Sequence, residues 1–353
     1  MRLILILLAG LVWGQEVDSL EGARGAYQKG DYAGAQVLLE EAWGRAAELA
    51  REDPRRYSIL KLLSQVQTAA RDYEAAEVTL QQAIHWRETV QGREHPDLLG
   101  DLTDLALLCR SKGDAERGLV VLATVFAPLV RLHGMESIPV ADHLGHMAGL
   151  QMAAKEPKAA AWSLGRSLEI REKVAGAGHP VLLPDLDRLA SIHLVLRDYP
   201  AAAETHLRAI RIRERYLGPM DADLLANLDG LSYALLGQKD YEAAEPVYLR
   251  LLALWENNAG THHPMVALTL DKLVMFYREW GREEPAEAAA GRAAALRVHF
   301  HAAGLVKRAG EWLAAGDAKE AERLYKEALG LLVLEHPALA PLRAEIAEQL
   351  GKF

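Results

Sequence analysis

A short segment of this chain recurs at a fixed interval of 42 residues. The clearest copy is Asp-Tyr-Glu-Ala-Ala-Glu at positions 240–245, and related segments follow from it in steps of 42. One column of this alignment holds only Ala or Gly, at positions 76, 118, 160, 202, 244 and 286. Another column holds only Leu, at positions 60, 102, 144, 186, 228 and 270. A period between about 20 and 50 residues is typical of arrays that stack one supersecondary unit many times.

Each copy has the hydrophobic spacing of two helices separated by a turn. Leu228, Leu231 and Leu235 recur at helical intervals before a break, and apolar residues resume at helical spacing from Ala244. The break at 237–240 predicts a turn, because it contains Gly and ends in an Asp that can cap the next helix. The column of Ala and Gly lies at the start of the second helix, so we expect the two helices to cross closely there. Each unit is therefore predicted to be a helical hairpin.

Two segments resemble the tetratricopeptide repeat, in the 42-residue form found in kinesin light chains and their bacterial relatives. Residues 168–173 and the following Gly178-His179-Pro180 match the end of a second helix and the turn between repeats, and residues 240–246 match the start of a second helix. The resemblance implies an all-α fold, namely a right-handed α-solenoid of about eight tetratricopeptide hairpins with a C-terminal capping helix. It also implies a scaffold that binds peptides or proteins.

The array is expected to fill residues 15–353 without a linker that would divide it. The hairpins are predicted at residues 17–50, 57–91, 99–133, 141–175, 183–217, 225–259, 267–301 and 303–335, and the capping helix at 337–352. The interval shortens near the end, because Asp317 follows Arg282 by 35 residues. We therefore expect the last hairpin to have the ordinary tetratricopeptide length. The first repeat also departs from the interval, because Asp31 lies 41 residues before Asp72. Departures at both ends fit an array, because an end repeat has one face in solvent.

The first fourteen residues have the composition of a secretory signal peptide. Arg2 precedes the apolar run Leu3–Trp13, and Gly14 is followed by the polar residues Gln15 and Glu16. The run is shorter than the roughly 20 apolar residues of a membrane-spanning helix. The sequence thus predicts an exported protein, periplasmic or secreted, with no stable membrane span after cleavage. The alternative is an uncleaved segment that anchors the chain in a membrane.

Charge and composition narrow the classes of partner. The chain has 40 Lys and Arg residues against 49 Asp and Glu residues, a formal net charge of −9, which argues against a nucleic-acid partner. The single cysteine, Cys109, has no second cysteine with which to form an intramolecular disulfide. We expect it to be a buried, packed residue of the third repeat.

The positions of the histidines and arginines indicate structural roles rather than metal binding or catalysis. Four His-Pro pairs, at 95, 179, 263 and 336, precede predicted first helices, where Pro is favourable. His143 and His146, or His299 and His301, would need a further converging ligand to bind a metal, and none is expected. Arg87, Arg171, Arg213 and Arg297 share one column late in the second helices, where we expect solvated side chains. Phosphate loops, nucleophile motifs and paired-carboxylate motifs are absent from the sequence, so no catalytic residue and no cofactor are predicted.

The remaining candidate site is the inner surface formed by the first helices, where the resembling family binds its ligands. Asn pairs are typical of that surface in the family, but the paired positions here are Lys61-Leu62, Thr103-Asp104, Gly145-His146, Asp187-Arg188, Asp229-Gly230 and Asp271-Lys272. Three of these positions hold Asp at intervals of 42, which predicts a row of carboxylates. Tyr233 and Met275 lie one helical turn further along. Such a row favours a cationic, extended partner segment.

Two other interpretations remain open at this point. Arg188 and Lys272 could partly neutralise the three carboxylates, so that the row is only a solvated face. The chain could also be a structural array that assembles with itself and binds no peptide. The sequence favours a non-enzymatic interaction scaffold whose groove includes Asp187, Arg188, Asp229, Tyr233, Asp271, Lys272 and Met275.

Overall fold

The computed structural model describes residues 19–333 and 336–353, and within these ranges the regular structure is helical, with no strand. The predicted signal peptide at 1–14 lies outside the described residues. The helices group into two compact units, one ending at Ala177 and one beginning at Gly178, whereas the sequence suggested a single array. The first unit contains α1 (19–28), α2 (Tyr32–Ala46), α3 (Pro54–Ala69), α4 (Tyr73–Val90), α5 (Leu98–Lys112), α6 (Ala115–His133), α7 (Ile138–Ala153) and α8 (Pro157–Ala175).

The second unit contains the remaining hairpins and the C-terminal helix. Its α-helices are α9 (Leu183–Val195), α10 (Tyr199–Leu217), α11 (Leu225–Gly237), α12 (Tyr241–Ala259), α13 (Pro264–Glu279), α14 (Glu283–Ala314), α15 (Ala318–Leu331) and α16 (Ala340–Leu350). Short 3-10 turns at Pro180–Leu182, Ala222–Leu224 and Pro337–Leu339 precede α9, α11 and α16. The predicted pattern of all-α helical hairpins is confirmed.

The turn inside each hairpin has one repeated design. The predicted cap Asp240 accepts a hydrogen bond from the backbone N–H of Ala243 at 3.1 Å, and five other Asp residues cap second helices or α15 in the same way. The residue before the cap has a positive φ in eight turns of the described residues. Four of these residues are not glycine, namely Arg71, Lys155, Arg197 and Lys239, and four are Gly30, Gly113, Gly281 and Gly316.

The turn between repeats uses histidine as a helix cap. Nδ1 of His179 accepts a hydrogen bond from the N–H of Val181 at 3.1 Å, and His263 and His336 cap their helices in the same way. His95 makes the corresponding bond to the N–H of Asp97 at 3.3 Å. The predicted structural role of the His-Pro pairs is therefore confirmed.

The small-residue column marks a close crossing of the two helices of each hairpin. Ala76, Ala160, Ala202, Ala244 and Ala286 are all fully buried. Gly118 occupies this column in the third repeat, and a Cβ atom there would lie 2.8 Å from the backbone oxygen of Ala106 and 2.5 Å from Leu150. The close approach inferred from the sequence is thus present in both units.

The seventh and eighth hairpins share one helix, which corrects the predicted boundary between 301 and 303. Helix α14 runs without a break for 32 residues, from Glu283 to Ala314. The 42-residue interval shortens by seven residues at this place, and the segment 298–304 contains neither Pro nor a capping Ser or Asp. Without a stop signal the helix continues, because a seven-residue deletion removes almost two whole turns and keeps the buried face in phase.

The C-terminal helix covers the end of the second unit. Leu342 and Ile346 of α16 are buried and pack with Leu305, Leu324 and other apolar residues of α14 and α15. The opposite side of α16 is exposed at Glu345 and Glu348. This helix is apolar inward and polar outward, as predicted for a cap.

Candidate functional site

The predicted groove residues lie together on three neighbouring helices of the second unit. Asp187 and Arg188 are on α9, Asp229 and Tyr233 on α11, and Asp271, Lys272 and Met275 on α13. Side-chain contacts connect these helices in order: Asn227 Nδ2 donates to Asp187 Oδ1 at 2.9 Å, and Lys272 pairs with Asp229. We call this surface the first-helix face of the second unit.

Two apolar side chains are prominent on this face. Tyr233 is 54% exposed and Met275 is 72% exposed, although each belongs to a helix whose other apolar residues are largely buried. The Tyr233 ring meets the Tyr199 ring edge-on, with 6.2 Å between their centroids. The face therefore offers apolar contacts that the fold itself does not require.

The carboxylate of Asp187 is held by a complete set of donors. Arg213 on α10 donates from both guanidinium nitrogens to the two carboxylate oxygens, at 3.0 and 2.6 Å. Asn227 accepts from Arg213 at 2.6 Å. The amide of Asn227 also lies 3.3 Å from Nδ1 of His206, a buried side chain whose pKa is lowered by burial to about 4. Asp187 is thus part of a network that holds α9, α10 and α11 together.

The other two carboxylates of the row also have cationic partners. Asp229 pairs with Lys272 of the next first helix, and Asp271 pairs with Arg297 of α14. The predicted neutralisation by Lys272 is present, whereas the arginines that pair with Asp187 and Asp271 come from second helices. Three paired carboxylates attract a cation less than three free ones would. The row alone is therefore a weaker argument for a cationic partner than the sequence suggested.

The arginine column explains where these partners come from. Arg213 and Arg297 each reach back 26 residues to the Asp of their own hairpin. Arg87 and Arg171 occupy the same column in the first unit, where they pair with Asp101 and Asp142. The expectation that this column is solvated is wrong for Arg87, Arg171 and Arg213, whose side chains are no more than 14% exposed. Their aliphatic stems pack while their guanidinium groups form ion pairs.

Repeat six breaks this column, because it has Trp255 in place of arginine. The Trp255 indole ring stacks on His263, with 5.6 Å between centroids and 5° between planes. Asp229 therefore has no arginine from its own hairpin and pairs instead with Lys272, 43 residues further along the chain. This exchange was visible in the sequence as one of two exceptions in the column, the other being Leu129, but its structural result was not.

A pocket of about 520 Å³ opens beside Trp255. Leu225, Leu251, Trp255 and Met265 supply its apolar walls, and Arg213, Asp223, Asp229 and Lys272 supply charged groups. A concave apolar site with a few polar groups is the usual form of a ligand-binding pocket. It lies next to the predicted groove residues and shares Asp229 and Lys272 with them.

The first unit has a different arrangement at the corresponding helices. The buried carboxylate of Asp101 accepts hydrogen bonds from Tyr57 Oη at 2.7 Å, from Lys61 Nζ at 2.6 Å and from Arg87 Nε at 2.6 Å. Burial and the hydrogen bond to Asp101 raise the pKa of the Tyr57 hydroxyl, which keeps it protonated as a donor. These hydrogen bonds and ion pairs hold α3, α4 and α5 together.

The remaining sequence candidates lie where packing explains them. Cys109 is buried, and burial raises the pKa of its thiol. His143 is buried against Phe126, with its pKa lowered to about 4, mainly by burial. Among residues 19–333 and 336–353, no group of three or more His, Cys, Asp or Glu side chains could hold a metal ion. None of the helices in these ranges has the length and apolar character of a membrane span.

Residues 223–297, which contain most of the pocket, match the tetratricopeptide repeat family. The predicted resemblance to this repeat is confirmed. No curated protein sequence matches the chain.

Solved structures with similar folds extend the likeness beyond that segment. The nearly identical TPR-like repeats of kinesin-light-chain type from Podosopora anserina are 19% identical, with a TM-score of 0.51 over 59% of this chain and 98% of theirs. BtubC (BKLC) from P. vanneervenii is 21% identical, with a TM-score of 0.53 over 65% of this chain and 92% of its own. The C-terminal part of a TPR repeat-containing protein from Cytophaga hutchinsonii is 11% identical, with a TM-score of 0.58 over 78% of this chain and 95% of its own. The predicted α-solenoid class is thus confirmed, and folds of this class commonly serve as protein–protein interaction scaffolds.

Proposed function

We propose that this protein is an interaction scaffold that binds an extended segment or a helix of another protein on the first-helix face of the second unit. The observation that carries this proposal is the exposure of Tyr233 and Met275 on successive first helices beside the Trp255 pocket. Exposed aromatic and Met side chains are enriched at interaction surfaces, and neighbouring repeats present them along one line. Ion pairs around them supply groups that can hydrogen-bond to a peptide.

We also propose that binding takes place outside the cytoplasm. The support for export is the short apolar run Leu3–Trp13, which is followed by Gly14 and the polar residues Gln15 and Glu16. The mass of the protein isolated from an exported fraction checks this, and a new N-terminus at Gln15 is expected. Full-length protein in the membrane fraction would support the anchored alternative instead.

Site-specific photo-crosslinking tests the binding face. A photoreactive phenylalanine analogue placed at Tyr233 or Met275 is expected to capture another protein in the native fraction. Trp162 is the matched control, because it is 69% exposed on a second helix of the first unit and is not part of the proposed face.

The adducts separate the possible outcomes. Adducts at 233 and 275 with a different protein, and none at 162, support the proposal. Equal capture at all three positions would contradict it. Adducts made only with further copies of this chain would favour the self-assembling array.

A further inference from the structure

We infer that the Trp255 pocket receives an arginine side chain of the bound segment. This inference rests on the proposed function and specifies which side chain the face selects. It comes from the one place in the second unit where the arginine column is interrupted.

Neighbouring repeats show what this place normally holds. In the fifth and seventh repeats, Arg213 and Arg297 bring a guanidinium group to the Asp on their own first helix. Asp229 occupies the equivalent position in the sixth repeat, where the second helix offers Trp255 instead. Asp229 pairs only with Lys272 among the described residues, so a guanidinium from outside the chain would give it the arginine partner that the adjacent repeats supply internally.

The walls of the pocket suit the stem of such a side chain. Leu225, Leu251 and Met265 surround a volume of about 520 Å³ together with Trp255. Arginine buries its three methylene groups along apolar surface while its charged end stays among polar groups. The Trp255 indole N–H has no hydrogen-bond partner among the described residues, so it can donate to a backbone carbonyl of the incoming segment.

The charges around the pocket favour a cation over an anion. Its two cations are already engaged, since Arg213 binds Asp187 on two oxygens and Lys272 binds Asp229. Asp223 at the rim is exposed, and no cation of the described residues pairs with it. An incoming carboxylate would have to displace an existing partner, whereas a guanidinium adds donors to Asp223 and Asp229. Arginine is preferred over lysine because its planar group can bind two oxygens at once, as Arg213 does.

Selection from a random nonapeptide display library on the immobilised full-length protein tests this inference. The recovered peptides are expected to share an arginine at one position. Replacing that arginine by Ala in a recovered peptide should weaken binding about tenfold, the loss of one charge-assisted contact.

Variants of the protein test whether the arginine of the peptide binds in the Trp255 pocket. Trp255→Arg restores arginine to the column and is expected to fill the pocket and pair with Asp229. It should therefore lower the affinity for the arginine-containing peptides about tenfold. Asp223→Asn changes an exposed side chain and leaves the walls intact, and it should lower affinity and the salt dependence of binding. Trp162→Ala in the first unit is the matched control, with unchanged affinity expected.

The outcomes distinguish the inference from the proposed function. Peptides that share an acidic or apolar residue instead of arginine, or that bind Trp255→Arg and Asp223→Asn as well as they bind the wild type, overturn the arginine pocket. If such peptides still lose affinity in Tyr233→Ala, the proposed binding face stands. A library that yields no peptide dependent on Tyr233, Met275, Trp255 or Asp223 overturns both.

Discussion

Arg87 in the first unit and Arg297 in the second occupy the same repeat position but form different ion pairs. Arg87 reaches forward to Asp101 on the next first helix and is nearly completely buried, whereas Arg171, also in the first unit, reaches back to Asp142 of its own hairpin. In the second unit Arg213 and Arg297 reach back to the first helix of their own hairpin, and Arg297 remains more than half exposed. One repeat position can therefore form a buried ion pair, as at Arg87, or an exposed one, as at Arg297.

The position of the acid decides between these uses. Asp101 lies two residues earlier in its repeat than Asp187, Asp229 and Asp271 lie in theirs. Two residues turn an α-helix by about 200°, so the two sets of carboxylates face nearly opposite ways. The earlier column is buried in both units and holds His143, Asp185, Asn227 and Thr269. The later column is where exposed carboxylates can meet a ligand.

The strongest test of this contrast removes one acid from each unit. Asp101→Ala should lower the free energy of unfolding by about 3 kcal/mol, because Lys61 and Arg87 lose a buried counter-ion. Asp271→Ala removes an exposed pair with Arg297 and should cost less than about 1 kcal/mol. Urea unfolding followed by circular dichroism measures both. Equal losses would mean that the two columns are not distinguished by burial.

Acid should destabilise both units through one buried histidine each. Burial lowers the pKa of His143 and of His206 from 6.5 to about 4. An unfolded histidine binds a proton below about pH 6.5 while the folded one stays neutral, so stability is complete above pH 6.5 and decreases as pH falls. The loss at pH 4 is up to about 3 kcal/mol for each histidine.

Leucine substitutions measure the contribution of each histidine to the acid sensitivity. His143→Leu and His206→Leu should each remove part of the decrease in unfolding free energy between pH 6.5 and pH 4. At pH 7.5 they should differ, because His206 contacts Asn227 whereas neither ring nitrogen of His143 has a hydrogen-bond partner among the described residues. His143→Leu is then expected to be the better tolerated. Unchanged pH profiles in both variants would show that other groups cause the acid sensitivity.

The close helix crossing should respond alike in the two units. Gly118→Ala places a methyl group against the backbone oxygen of Ala106, and Ala244→Leu overfills the same column of the sixth repeat. Each is expected to cost about 1 to 3 kcal/mol of unfolding free energy. Lys239→Leu, in the exposed turn before α12, is the control and should change little. A loss at Lys239 equal to that at Ala244 would be inconsistent with this hairpin register.

The smallest expected effects concern the positive-φ turn position. Arg71→Gly in the first unit and Lys239→Gly in the second should gain up to about 1 kcal/mol, because glycine adopts this backbone conformation without a Cβ penalty. Gly113→Ala and Gly281→Ala should lose a similar amount, although no atom obstructs the added methyl group. Thermal unfolding detects shifts of this size. Gains confined to one unit would show that the turns are not equivalent.

The fold was largely predictable because its signals are local and repeated. Helical spacing, the Asp caps and the His-Pro turns each depend on a few adjacent residues. The site was less predictable, because a column of arginines does not reveal whether each side chain reaches forward or back. Trp255 stood out only as an exception, and the pocket beside it is formed by residues of four helices, α10 to α13. The continuous helix α14 was missed because an interval of 35 residues is close to that of an ordinary repeat with its turns intact.

Helix α14 also limits how this chain could change its length. At the other described junctions a turn separates one hairpin from the next, so duplication of a 42-residue unit would add a repeat and leave each helix whole. Between the seventh and eighth hairpins the same insertion would fall inside a continuous helix of 32 residues. We therefore expect the array to tolerate growth or shortening by whole repeats on the N-terminal side of this helix. The segment from α13 to α16 is expected to be kept or lost as one unit.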